Sequence, residues 1–117
     1  MEIPTMNRTL SSLTLFLFIS VLVAQPTFTE SAISTSADGA WSVHAADVEG
    51  DGDMDVLSAS YNVNKIAWYE NDGSESFTEH VISTEAYYSA FVHAADVDDD
   101  GDMDVLSASA NDDKVAW

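Results

Sequence analysis

The stretch that decides the fold is VHAADVEGDGDMDVLSAS, residues 43–60, because it returns at residues 92–109 as VHAADVDDDGDMDVLSAS, an offset of 49. Moving outward, FTESAIST (28–35) returns as FTEHVIST (77–84) at the same offset. Lys65-Ile66-Ala67-Trp68 returns as Lys114-Val115-Ala116-Trp117, again without a gap. Residues 25–117 therefore divide into one repeat, 28–76, and a partial second one, 77–117. A period of this length marks a supersecondary unit that buries its apolar faces by stacking on its neighbours.

Each period holds short strand-like runs separated by turn chemistry. In the second copy these are Phe77–Thr84, Ala90–Asp96, Met103–Ser109 and Lys114–Trp117. In the first copy the last run continues as KIAWYEN to Asn71 before the turn signal Asp72-Gly73-Ser74. Ile66 and Trp68 fall on one face of that run and Ala67 and Tyr69 on the other, which suits a strand covered on both sides. Helical periodicity is absent from the repeats. The expected class is all-β, with four-stranded antiparallel sheets arranged as β-propeller blades, about two in number. A duplicated hairpin in a β-sandwich is the competing architecture. A propeller closes with about four to eight blades. Two blades thus imply a fragment of a larger ring or a ring completed by oligomerisation.

Residues 1–24 read differently. Arg8 is the only cation before Leu10–Ala24, a run without charge that ends on a small residue. This is the pattern of a secretory signal peptide cleaved after Ala24, and it predicts a secreted chain with no membrane insertion once the segment is removed. An uncleaved, membrane-anchoring signal segment is the alternative. Its apolar core is shorter than the roughly 20 residues of a membrane span. Cysteine is absent, so no disulfide framework operates.

The chain carries 21 acidic against 3 basic residues, a formal net charge of −18. Removal of residues 1–24 takes away Glu2 and Arg8 and leaves that charge unchanged. Such a surface repels nucleic acid and anionic membranes. The charge is concentrated rather than scattered, with 11 of the 20 acids of residues 25–117 in two nine-residue windows. These are Asp47-Val48-Glu49-Gly50-Asp51-Gly52-Asp53-Met54-Asp55 and Asp96-Val97-Asp98-Asp99-Asp100-Gly101-Asp102-Met103-Asp104.

Carboxylates at relative positions 1, 3 and 5 converge when the backbone curls, glycine at position 6 permits the sharp turn, and a carboxylate at position 9 closes the loop from the next strand. Several charged oxygen donors in a flexible loop suit Ca²⁺, which takes about 6–8 oxygens at about 2.3–2.6 Å. Mg²⁺ demands a tighter octahedron, and zinc prefers the nitrogen and sulfur donors that these loops lack. An EF-hand begins the same way but ends on Glu at position 12, where this chain has Ser58 and Ser107. Solvated acidic turns without metal are the plain alternative.

The D-x-[D/E]-x-D-G-x-x-D loop within a four-strand repeat resembles the FG-GAP family. The wording ADVDxDGDMDVLSAS…KxAWYENDG resembles its VCBS branch, and the likeness covers 28–117. The resemblance implies one Ca²⁺ per loop, two in all. The side chains implied as ligands are those of Asp47, Glu49, Asp51 and Asp55, and of Asp96, Asp98, Asp100 and Asp104. Asp53 and Asp102 would each offer a backbone carbonyl. It also implies that each loop joins the innermost strand of a blade to the next. Glu49 departs from the expected Asp.

His44 and His93 precede the acidic loops at equivalent places, and packing along the inner strands accounts for them better than metal binding or catalysis. Trp68 and Trp117 fit as large rings between blades. Trp41, Tyr87 and Tyr88 sit in the connections that lead into the inner strands, where aromatics either recognise a ligand or pack between blades. No nucleophile elbow, Ser/His/Asp order or phosphate-cradling glycine loop occurs. The expected role is binding or adhesion without catalysis, with a glycan or an extracellular protein as partner. Carbohydrate is the ligand class favoured by the resemblance and the loop aromatics. A partial piece of an extracellular polysaccharide-degrading enzyme is the alternative.

Overall fold

A computed structural model describes residues 25–117, so the expected signal segment and its expected cleavage after Ala24 lie outside the described residues. The described chain is all-β. Seven strands follow in order: β1 Ala40–Ala46, β2 Asp55–Ser60, β3 Lys65–Asn71, β4 Phe77–Ser83, β5 Ser89–Ala95, β6 Asp104–Ser109 and β7 Lys114–Ala116. They form two antiparallel meanders, a four-stranded sheet β1-β2-β3-β4 and a three-stranded sheet β5-β6-β7. This is the propeller-blade arrangement expected from the repeat.

The blade is out of phase with the sequence repeat. Phe77–Ser83 opens the second copy, yet it pairs with β3 and completes the first sheet, Trp68 opposite His80 and Tyr69 opposite Glu79. Its counterpart FTESAIST (28–35) forms no strand, since among the described residues no KIAWYEN-type strand lies beside it to supply backbone partners. Instead Ser31, Ile33, Ser34 and Ala37 lie against Val43, Val56, Ser58 and Tyr69, lining a cleft of about 190 Å³ on the outer face of the first sheet.

The core forms where the two sheets meet. Leu57, Ala59, Ile66 and Ala46 of the first sheet bury against Val92 and Ala94 of β5 and against Ala86, with Trp68 and Val105 packed at the margin. Full burial of Leu57, Ile66 or Val92 contributes about 1.5–3 kcal/mol each. Polar contacts fix the same junction. The Ser89 hydroxyl, itself buried, donates to the Ser60 carbonyl at 3.0 Å, and Ala86 N–H donates to the Asn64 carbonyl at 3.1 Å.

Both inner strands carry the same irregularity. The register of β1 on β2 shifts between Ala40 and Ser42, and that of β5 on β6 between Ser89 and Phe91. Trp41 and Ala90 are thus the extra residues of two equivalent β-bulges. His44 and His93 stand side by side on these strands, ring centroids 4.2 Å apart, in keeping with packing along the inner strands. Trp68 stacks on His80 at 4.6 Å, and the His80 Nε2 lies 2.6 Å from Glu70 Oε2. Trp117 corresponds to Trp68 but is two-thirds exposed, because β7 is the last strand of its sheet and has no outer neighbour there. Among the described residues no helix is long and apolar enough to cross a membrane.

Candidate metal centre in the acidic loops

Each acidic loop joins the first strand of its sheet to the second, β1 to β2 and β5 to β6. Alanines end the incoming strand (Ala46, Ala95), and an Asp opens the outgoing one (Asp55, Asp104). Between them the chain curls around the first carboxylate. Asp47 Oδ1 accepts from the Gly50 and Asp51 N–H groups at 2.8 and 3.1 Å, and its Oδ2 from Gly52 N–H at 3.0 Å. In the second loop Asp96 accepts from Asp100 and Gly101 N–H at 3.1 and 3.0 Å. Gly52 and Gly101 both have φ near +95°, which places the left-handed turn at position 6 where the sequence demands it. Asp53 and Asp102 N–H donate to Asp51 and Asp100 Oδ1, at 2.9 Å in both loops.

Position 9 ties loop to sheet. Asp55 is fully buried, with Oδ2 accepting from Val48 N–H at 3.0 Å and Oδ1 from Asn71 N–H at 2.8 Å. The Asn71 side chain in turn donates to the Met54 carbonyl at 3.1 Å. Asp104 accepts from Val97 N–H at 2.9 Å and stays half-buried. Asn71 was not picked out from the sequence, because its link to Asp55 spans the β2–β3 hairpin and follows from register alone.

The loops differ in how their carboxylates gather. In the second, carboxylate oxygens of Asp96, Asp98 and Asp104 all come within 4.8 Å of one another. Oxygens sharing one Ca²⁺ at about 2.3–2.6 Å lie no more than about 5 Å apart, so these three fit one hard cation. Asp100 stands in the same loop and is exposed. Among the described residues the first loop gathers no such trio. There Glu49 is exposed, and the crowded loop pushes its carboxyl above the usual range. Lost hydration contributes most, then a hydrogen bond with Asp51 and the charges of Glu70, Asp51 and Asp55. Asp53 turns its side chain toward the β3–β4 turn, with an oxygen where a Cβ on Gly73 would fall. That leaves its backbone for the loop. The two loops flank one crevice of about 270 Å³, lined by Asp47, Val48, Glu49 and Gly50 on one side and Gly101, Asp102 and Met103 on the other.

The three aromatics singled out from the sequence lie at the opposite end of the strands, and all are exposed: Trp41 67%, Tyr87 48% and Tyr88 42%. Trp41 and Tyr88 are brought together through Tyr61, which the sequence reading passed over. Comparison of the two copies holds the missing signal, since Tyr61 stands where the second copy has Ala110. Among the described residues Tyr87 stacks on no other ring.

Two antiparallel meanders packed face to face, each with an acidic loop at the same corner, define a repeat protein of the β-propeller type. The chain belongs to the FG-GAP-like repeat family, whose pattern it matches over residues 11–58 and again over 47–107. The two matches end at equivalent serines, Ser58 and Ser107, in step with the 49-residue repeat. Repeats of this family are generally non-catalytic modules. No curated protein and no solved structure gives a significant match.

Proposed function

We propose that this chain is a calcium-stabilised β-propeller repeat module, exported after cleavage at Ala24, that acts in extracellular binding or adhesion and not in catalysis. The observation that carries the calcium reading is the convergence of Asp96, Asp98 and Asp104 oxygens within one coordination sphere. Asp96, Asp98, Asp100 and Asp104 would hold one ion with the Asp102 carbonyl, and Asp47, Glu49, Asp51 and Asp55 a second with the Asp53 carbonyl. When bound, the ion supplies charge neutralisation, and folding then becomes coupled to metal. The chain's own part is to present the carboxylates: the Gly52 and Gly101 turns curl the loops, and Asp55 and Asp104 anchor them to the sheet.

Carbohydrate is the ligand class favoured here, supported by exposed aromatics at the end opposite the acidic loops. The net charge of −18 argues against nucleic acid and anionic membranes as partners. The ring is completed either by further repeats or by other copies of the chain, since the far face of the second sheet exposes Phe91, Val115 and Trp117. Thermal melting with calcium and with a chelator tests the metal reading. A higher melting temperature in calcium is expected, and an unchanged one on chelation refutes it. Light scattering with size exclusion tests ring completion, and a well-folded monomer in calcium refutes it.

A further inference from the structure

Trp41, Tyr61 and Tyr88 form one run of stacked rings. Trp41 and Tyr61 have centroids 5.2 Å apart with planes 28° apart, and Tyr61 and Tyr88 have centroids 4.5 Å apart with planes 16° apart. Trp41 lies on β1 and Tyr61 opens the β2–β3 turn of the first sheet, whereas Tyr88 leads into β5 of the second. The run therefore exists only because two blades meet.

The rings are not part of the repeated pattern. At the 49-residue offset, Trp41 corresponds to Ala90, Tyr61 to Ala110 and Tyr88 to Gly39. These three differences between the copies fall on one spot in space. Two of them also occupy special backbone positions. Trp41 is the extra residue of the β1 bulge, a device that re-aims a side chain outward. Tyr88 has φ +56°, a left-handed conformation that Gly39 adopts freely at φ +67° but that is strained for a bulky side chain. A strained tyrosine kept 42% exposed, beside a tryptophan kept 67% exposed, wins little by burial.

Polar side chains stand beside the rings. Asn62 Nδ2 donates to Asp38 Oδ1 at 3.0 Å, which engages that carboxylate, and Asn64 Oδ1 accepts from Tyr88 N–H at 3.1 Å. Amides and phenolic hydroxyls around open ring faces match a ligand that has an apolar C–H face and a hydroxyl edge. The overall charge of −18 disfavours anionic sugars.

We propose that the Trp41–Tyr61–Tyr88 stack is a binding site for neutral pyranose glycans, built across the junction of two blades. This rests on the carbohydrate-binding reading above and assigns it a place. An immobilised array of neutral galacto- and gluco-configured glycans, sialylated and uronate glycans and an arginine-rich peptide, probed with the calcium-loaded chain, tests it. Retention on neutral glycans is expected. Trp41→Ala and Tyr88→Gly should each weaken it by about tenfold, while melting temperature and circular dichroism stay at the parental values and Tyr87→Ala binds as the parent does. Tyr88→Gly restores the residue found at the other copy's equivalent left-handed position, and the melting temperature separates loss of binding from loss of fold. Neutral-glycan binding that survives both substitutions overturns the site and leaves the carbohydrate reading standing. Retention on the arginine-rich peptide alone, or on no neutral glycan, overturns both.

Discussion

Replacing Asp55 by alanine should destabilise the chain far more than the same change at Asp104, although the two residues occupy identical sequence contexts. Asp55 is fully buried and takes two backbone N–H bonds, from Val48 at 3.0 Å and Asn71 at 2.8 Å. Hydrogen bonds to a charged acceptor are worth about 1.5–3 kcal/mol each, and removing the acceptor leaves the donors unpaired. Both donors belong to residues only half-buried, so water recovers part of the loss. The net cost is about 2–4 kcal/mol, a large share of the roughly 5–15 kcal/mol that holds a domain folded. Asp104 is half-buried and takes a single bond, from Val97 N–H. Its loss costs about 0.5–1.5 kcal/mol. Urea unfolding followed by tryptophan fluorescence should be run with a chelator present, so that loss of a metal ligand does not enter the comparison. Equal shifts for the two variants, or a shift below about 1 kcal/mol for Asp55→Ala, would refute the reasoning.

Three further outcomes are expected. Leu57→Ala should cost about 2–5 kcal/mol by equilibrium unfolding, and Leu106→Ala distinctly less, because Leu57 is sealed between the sheets while its counterpart is half-exposed. Glu49→Asp should tighten calcium binding at the first loop, seen as a higher affinity for one of two sites in calorimetric titration, because the shorter side chain restores the spacing of the second loop. Glu79 is held below its ordinary value of 4.5, chiefly by its hydrogen bond from Lys65, then by that cation's charge and by Ser36. A depressed carboxyl stabilises the fold fully above its ordinary value and loses that contribution as pH falls through the folded-state value. With chelator present, Glu79→Gln should therefore narrow its stability gap to the parent as pH falls below the ordinary value of 4.5. The pair is partly exposed, so the effect is small and should shrink in high salt.

Much of the fold was legible in the sequence because it rests on covalent spacing. The 49-residue offset, the turn signals and the alternation in KIAWYEN fix which segments can be strands, and β1–β7 fall where those signals put them. The acidic loops were legible for the same reason: carboxylates at alternate positions with glycine at the sixth constrain the curl locally, and the Asp47 and Asp96 hydrogen bonds follow that spacing. Where the sequence misled, the missing term was a non-local partner. FTESAIST and FTEHVIST are near-identical, but only the second has a β3 beside it, so only the second is a strand.

The same distinction separates what the chain determined alone from what the tertiary structure decided. The sequence determined the repeat, the strand class, the concentration of 11 acids in two loops and the donor chemistry of those loops, since each depends on residues near one another along the chain. Tertiary packing decided which copy of each residue became core. Leu57, Ala59 and Asp55 are buried, and Leu106, Ala108 and Asp104 are not, because this face of the first sheet packs on the second sheet, whereas the equivalent face of the second sheet packs on no further sheet among the described residues. Packing also decided that Tyr61 joins Trp41 and Tyr88, three residues spread over 41–88 that meet only when one blade closes on the next.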